Sequence, residues 1–323
     1  MKLFLIINMK ILFISPRYSG GIGGHAYRVA QKLRDSGHDV ELMHVPHIPI
    51  KKLKNPSFAF FGIISALLKK ESYDIVHAFN VPSAFIMRYI KAKKKVLSIH
   101  GVYSEQIGLI HSNYISSIVS NKEKKVLEWA DALTTDSLKV KIDYKEKLNL
   151  EITHLSAPLD FIKLKNIPVV PRLKNQVLYL GRDSYEKGID ILKSVEDKIN
   201  AKIVYCTNMP WDKAMIELQR SSILIIPSRI ESIPQTIKEA YYFKTPVIAT
   251  NVGGIPEIIN DNETGLLIPS ENPLALIDSV NSLLIDDLKI KTLTENAYQF
   301  VLQNYSWDNL LDKYINFYKN LLK

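Results

Sequence analysis

Glu231 and Glu239 stand eight positions apart in the run Pro227-Ser-Arg-Ile-Glu-Ser-Ile-Pro-Gln-Thr-Ile-Lys-Glu239, just after the strand-like stretch Ile223–Ile226. Pro234 lacks an N–H and presets φ, so it suits the first position of a helix and leaves the amides of Gln235 and Thr236 free at the helix mouth. Such a mouth attracts phosphate. Glu239, more than a turn inside that helix, can accept hydrogen bonds from vicinal ribose hydroxyls. Glu231, on the preceding loop, can reach a sugar ring. One segment therefore offers contacts to three parts of a nucleotide sugar.

Three further constellations could act with it. In Gly181-Arg-Asp-Ser-Tyr-Glu-Lys187-Gly188, Arg182 as a fork and Lys187 as a point charge could converge on a diphosphate. Prepositioned cations there would stabilise charge building on a departing diphosphate without a metal ion; the plain alternative is two solvated loop cations. Gly20-Gly-Ile-Gly-Gly-His25 follows a strand-like run and precedes a helix reaching about Arg34. Read from Gly21, through Gly23 to Ala26, it fits a dinucleotide fingerprint with Glu41 about twenty residues on. It equally suits a tight turn, or a loop that closes over a substrate in a cleft between domains. His100 ends the run Val96–His100, and the carboxyl end of a parallel strand is where ligands bind. The remaining histidines, His25, His44, His47, His77, His111 and His154 among them, show no metal-ligand spacing, so no metal site is expected.

These residues need a scaffold, and the chain alternates short β-branched runs with longer amphipathic stretches, the pattern of parallel sheets covered by helices. Strands are expected at Ile11–Ser15, Val40–Val45, Ile75–Ala78, Val96–His100, Ala132–Thr135 and Ile152–Leu155. A second set is expected at Val177–Leu180, Lys202–Cys206, Ile223–Ile226, Val247–Thr250 and Leu266–Ile268. Lys165-Asn-Ile-Pro-Val-Val-Pro-Arg172 reads as an extended linker. The expected domains are therefore 1–168 and 169–304, with an amphipathic helix over 305–323. At 323 residues and 46% hydrophobic content the chain can build two cores. A single cysteine, Cys206, excludes a disulfide framework and favours a reducing, cytoplasmic setting. Residues 1–170 carry 25 Lys+Arg against 14 Asp+Glu, whereas residues 171–323 carry 17 against 19, so the first half alone accounts for the positive charge and implies an anionic partner there. Because Met1-Lys-Leu-Phe-Leu-Ile is nearly restated by Met9-Lys-Ile-Leu-Phe-Ile14, translation is expected to begin at Met9.

In order along the chain, Gly20–Gly24, His100, Gly181-Arg182 with Lys187-Gly188, the Glu231 and Glu239 pair, Thr245-Pro-Val-Ile-Ala249 and Val252-Gly-Gly-Ile-Pro-Glu257 resemble the retaining glycosyltransferases of family GT4, the glycosyl transferases group 1. The resemblance implies a GT-B fold, two Rossmann-like doubly wound domains facing across a cleft. It implies that Arg182 and Lys187 hold the donor diphosphate, Glu239 the ribose, and Glu231 with Ser232, Ile233, Pro234, Gln235 and Thr236 the transferred sugar. Gly21, Gly23 and Gly24 would close on the donor and His100 would touch the sugar. The acceptor would enter on the first domain, and the last helix would cross back to it. The hinge turn departs from the family, reading Ser156-Ala-Pro-Leu-Asp160. Lys244 stands where glycine often ends the glutamate helix, which costs roughly 1–2 kcal/mol if it turns left-handed.

The implied partners are a UDP- or GDP-sugar as co-substrate, with no other cofactor, and a glycan or lipid-linked acceptor; no nucleic acid is expected. A non-catalytic nucleotide-sugar binder and an NAD-dependent enzyme remain as alternatives. The run from Lys51 to Lys70 brackets an apolar stretch with lysines, as either an interfacial helix or a core helix with solvated ends would. It is too short to span a bilayer. With the basic first half it raises a peripheral position on the inner face of the cell membrane. Lys91, Lys93, Lys94 and Lys95 read as a solvated helix end.

Overall fold

The computed structural model of the protein describes residues 8–16, 21–50, 53–100 and 124–323. Two wholly parallel sheets organise it. The first contains β1 (Lys10–Ile14), β2 (Asp39–Met43), β3 (Ser72–Ala78), β4 (Lys91–Ile99), β5 (Ala132–Thr135) and β6 (Ile152–His154), in the order β2-β1-β3-β4-β5-β6. The second contains β7 (Leu173–Leu180), β8 (Lys202–Cys206), β9 (Ser221–Ile226), β10 (Val247–Thr250) and β11 (Leu266–Ile268), in the order β11-β10-β9-β7-β8. Each is a Rossmann-like, doubly wound α/β unit, and together they make the GT-B fold.

Parallel strands covered on both faces need continuous apolar runs rather than alternation. Accordingly all six residues of β9 are buried. Val177, Ile223, Ile225 and Ile248 from three adjacent strands share one core with Leu276 and Val280 of the helix Pro273–Leu284. Leu12, Ile14, Val76 and Leu97 do the same in the first sheet. Contacts divide the chain into one unit of residues 1–136, 140–157 and 310–323 and another of 137–139 and 158–309.

Polar residues extend several strands beyond their apolar runs. The four lysines from Lys91 to Lys95 belong to β4 and not to a helix end; Lys93 reaches Asp74 on neighbouring β3 at 2.8 Å, and the Lys95 ammonium donates to the Arg88 carbonyl at 2.7 Å. At the other end of the chain, the helix Asp287–Tyr305 stops at an extended Ser306, and a separate helix, Trp307–Leu321, follows. Its Tyr318 and Tyr314 are buried in the first unit, where the Tyr318 hydroxyl lies 2.7 Å from His77 Nδ1 and the Tyr314 hydroxyl 3.2 Å from His25 Nε2. His77 Nε2 continues to Ser98 Oγ at 2.7 Å, and Ser98 to Thr134 at 2.8 Å, a polar chain laid across β3, β4 and β5. The expectation about Met9 concerns residues 1–8, of which 1–7 lie outside the described residues.

Candidate functional site

In an open parallel sheet, ligands bind beyond the carboxyl ends of the strands where the order reverses. In the second sheet that reversal falls between β7 and β9, since β7 leads to β8 on one side and β9 leads to β10 on the other. Gly181–Gly188 leaves the end of β7, and Pro227–Pro234 leaves the end of β9. The sequence's two densest clusters of polar candidates therefore emerge side by side.

Their contacts lock the two loops together. The Lys187 ammonium forms a very short ion pair with the Glu231 carboxylate, and Ser228 Oγ donates to the same oxygen at 3.0 Å. The Glu231 side chain is only 10% exposed. The Glu186 carbonyl accepts from the amides of Arg229 at 2.9 Å and Ile230 at 3.3 Å. Gly188, at φ 65°, packs so closely on Pro227 that a Cβ there would lie 1.9 Å from its carbonyl oxygen. Only glycine combines that left-handed backbone with that approach. Arg182, by contrast, is 70% exposed and paired with Glu186 at 3.0 Å. Its turn is propped from beneath by Tyr179, whose hydroxyl donates to the Arg182 carbonyl at 2.6 Å and whose pKa burial drives upward. Burial alone would raise the Glu186 carboxyl, but its own backbone amide and the cations Arg182 and Lys187 hold it below the usual range.

A third loop, after β10, supports the glutamate from behind. Gly253, at φ 55°, lies against Glu231: a Cβ would sit 1.8 Å from the Glu231 carbonyl oxygen. At Gly254 a Cβ would sit 2.4 Å from that of Ser232. The glycine pair of Val252-Gly-Gly-Ile-Pro-Glu257 thus fixes the height of the Glu231–Ser232 backbone.

The helix Gln235–Tyr242 begins one residue later than its sequence suggests, with Pro234 in an extended conformation at the cap. The proline ring still removes one of the donors that the helix start would leave unsatisfied, and the first-turn amides of Gln235 and Thr236 have no carbonyl a turn earlier to bond. Gln235 Oε1 is buried there and meets no hydrogen-bond partner among the described residues. Inside the helix, Glu239 accepts from Trp211 Nε1 at 2.8 Å. At the far end Lys244 is left-handed, with φ 52°, and Arg172 forks to the carbonyls of Lys244 at 2.7 Å and Phe243 at 2.9 Å, occupying acceptors that a helix end leaves open.

In the first unit, His100 follows the last residue of β4. Its Nδ1 lies 3.2 Å from Asp136 Oδ1, and its buried Nε2 meets no partner among the described residues. Gly21, Gly23 and Gly24 form the first turn of the helix Gly21–Asp35 rather than a loop ahead of it; Gly23 and Gly24 are buried, and a Cβ on Gly21 would meet nothing within 4 Å. The dinucleotide alternative needs Glu41 at a ribose. Instead Glu41 sits mid-strand in β2, taking the Lys69 ammonium at 2.8 Å and a very short hydrogen bond from the Tyr73 hydroxyl. A cavity of about 520 Å³ runs along that strand, lined by Lys10, Arg34, Glu41 and His44, and it includes none of the residues proposed to hold a donor.

Sequence reasoning overlooked Arg229. Its guanidinium grips Asp190 through two 2.8 Å bonds, reaches Glu271 at 2.9 Å and stacks 3.9 Å over Tyr185. The Asp190 carboxylate also holds that guanidinium still further above its ordinary pKa. Trp211 was likewise unanticipated. Among the described residues no group of three His, Cys, Asp or Glu side chains is placed to hold a metal.

Residues 195–300 match the family model of glycosyl transferases group 1, and residues 19–156 match that of glycosyltransferase family 4. An uncharacterized glycosyltransferase of Methanocaldococcus jannaschii is 25% identical, over 96% of this chain and 98% of its own. Among solved structures, sucrose-phosphate synthase of Thermosynechococcus elongatus superposes with a TM-score of 0.79 at 18% identity, over 97% of this chain and 99% of its own. An Anabaena protein crystallised with UDP-glucose superposes at 0.73 and 15% identity, over 97% and 100%.

Proposed function

We propose that this chain, a glycosyltransferase of the GT-B superfamily that moves a sugar from a nucleotide-sugar donor to an acceptor, is a retaining hexosyltransferase of family GT4. The observation that carries the reading is the lock between Lys187 and Glu231 at the strand-order reversal, beside a helix mouth with free amides. The carboxylate of Glu231 retains acceptor capacity for sugar hydroxyls even with Lys187 and Ser228 on it, because an ionised carboxylate offers about four lone-pair sites. Lys187, held at the loop junction, and Arg182, exposed and paired with the neighbouring Glu186 carboxylate, stabilise the diphosphate as the sugar–phosphate bond lengthens. Glu239, oriented by Trp211, takes the ribose hydroxyls. The amides of Ser232, Ile233, Gln235 and Thr236 face the sugar and phosphate. In the first unit, Asp136 orients the His100 ring, and Nε2 is the atom that the family resemblance implies for a sugar hydroxyl.

In this mechanism the acceptor hydroxyl attacks the face from which the diphosphate leaves. The departing phosphate oxygen takes the hydroxyl proton, and no protein nucleophile is required. The donor is a UDP- or GDP-hexose, and the Anabaena neighbour's UDP-glucose complex supports the former. The acceptor is a hydroxyl of a glycan or lipid-linked precursor, met on the cytoplasmic side.

A thermal-shift series with UDP, GDP, ADP and NAD tests the reading. A ligand at a hundred times its dissociation constant stabilises by about 2.7 kcal/mol. A uridine or guanosine diphosphate should raise the melting temperature of the wild-type protein and fail to do so after Glu239→Ala. Stabilisation by NAD alone, undiminished in Glu239→Ala, would refute it.

A further inference from the structure

The helix Lys54–Leu68 is seated on the first unit by Phe58 and by small side chains, and turns most of its other large side chains outward. Its buried residues are Ser57, Phe58, Gly62 and Ala66. At Gly62 it approaches the neighbouring helix Val81–Met87 so closely that a Cβ would lie 2.1 Å from Ile86 Cδ1. Meanwhile Phe60 is 61% exposed, Leu67 65% and Leu68 75%, with Phe61 and Ile64 also open. At about 100° per residue these five cover an arc of roughly 120°, opposite the stripe of Phe58, Gly62 and Ala66. Leu53, about two turns ahead of Phe60 and likewise exposed, lies on the same side beyond the buried Ser57. A helix of a water-exposed unit normally does the reverse.

Charge identifies what covers this face. No Asp or Glu occurs between Glu41 and Glu71, while Lys51, Lys52, Lys54, Lys69 and Lys70 bracket the apolar run. If a second copy paired through the same face about a two-fold axis, antiparallel helices would set the lysines at one end against those at the other, with no acid between them. Lys69 is already held by Glu41, but a flat anionic surface meets the other bracketing lysines favourably, and the aromatic and aliphatic stripe fits the headgroup–acyl boundary. We propose that this helix face docks the protein on the anionic surface of a lipid bilayer, lying in the interface without crossing it. No helix among the described residues is long and apolar enough to cross. The inference stands apart from the donor assignment, since none of its residues belongs to the second unit.

Co-sedimentation with vesicles of phosphatidylcholine alone, and of phosphatidylcholine mixed with phosphatidylglycerol, is the test. Wild type should pellet with the mixed vesicles at low salt, release at high salt, and ignore neutral vesicles. Phe60→Ser with Leu67→Ser should weaken binding roughly a hundred-fold, because both side chains lose their burial. Lys54→Gln with Lys70→Gln should weaken it roughly thirty-fold and flatten its salt dependence. Melting temperatures and the nucleotide-induced thermal shift should stay as in wild type, which separates loss of docking from loss of fold or donor site. Absence of binding to anionic vesicles overturns the proposal, as does equal binding to neutral ones. So does a wild-type dimer in sedimentation velocity that Phe60→Ser with Leu67→Ser converts to monomer without changing vesicle binding.

Discussion

Gly253→Ala concentrates the site's logic in one methyl group. The added Cβ would lie 1.8 Å from the Glu231 carbonyl oxygen, and restoring an ordinary 3.4 Å contact requires about 1.6 Å of relative movement. Two costs follow. An L-residue held at φ 55° loses roughly 1–2 kcal/mol, and the crowding adds about 1–3 kcal/mol of strain. The larger consequence is positional, because Glu231 and the amide of Ser232 ride on the displaced segment. A shift near 1 Å at a reacting site costs on the order of 10²-fold, equivalent to about 2.7 kcal/mol of transition-state stabilisation. The measurement is kcat/KM with a nucleotide-sugar donor, paired with thermal unfolding. A variant that melts a few degrees lower yet stays folded at the assay temperature should lose roughly two orders of magnitude. Unchanged kcat/KM in Gly253→Ala would mean that the Glu231 loop does not set the geometry of transfer.

Other perturbations separate the roles. Lys187→Gln should lower kcat about 10²- to 10³-fold in a protein that still binds donor; a kcat within about three-fold of wild type would remove Lys187 from leaving-group stabilisation. Trp211→Phe deletes the donor to Glu239 and should raise the donor KM roughly ten-fold, whereas an unchanged KM would show that Glu239 is oriented by something else. His77 is buried and, with a smaller push from His100, its pKa is lowered from 6.5 to about 3. Between those values the unfolded chain binds the proton and the folded chain does not, so stability is fully present above pH 6.5 and falls with acidification, by about 2 kcal/mol at pH 5. Urea unfolding at pH 7 and pH 5 should show that loss in wild type and its absence in His77→Gln; equal losses in both would contradict it.

The strands were legible because a buried parallel sheet writes itself as short apolar runs, and Lys202–Cys206, Val247–Thr250 and Leu266–Ile268 end where those runs do. Where a strand continues past its apolar part, as in the lysine-rich start of β4 and the Leu173–Asn175 start of β7, composition misleads, since exposed strand ends tolerate any solvated side chain. The left-handed turn at Lys244 could be anticipated from a missing glycine. The fork from Arg172 that covers its carbonyls could not, because it comes from 72 positions earlier. Arg229 escaped for the same reason, as its acidic partners lie 39 and 42 positions away. Orientation of the helix Lys54–Leu68 was beyond periodicity altogether, because an almost wholly apolar helix has no polar face to point outward. Only the close seat at Gly62 decides it.

The bond from His77 to Tyr318 joins residues 241 positions apart, across the whole of the second unit. On the ribosome, the first sheet emerges long before the helix that completes its interior. The second unit has its residues in hand, and can fold, while the first still exposes the hollow meant for Tyr314 and Tyr318. Vectorial synthesis therefore delivers the units in reverse order of completion, and the earlier one cannot close its interior until elongation finishes.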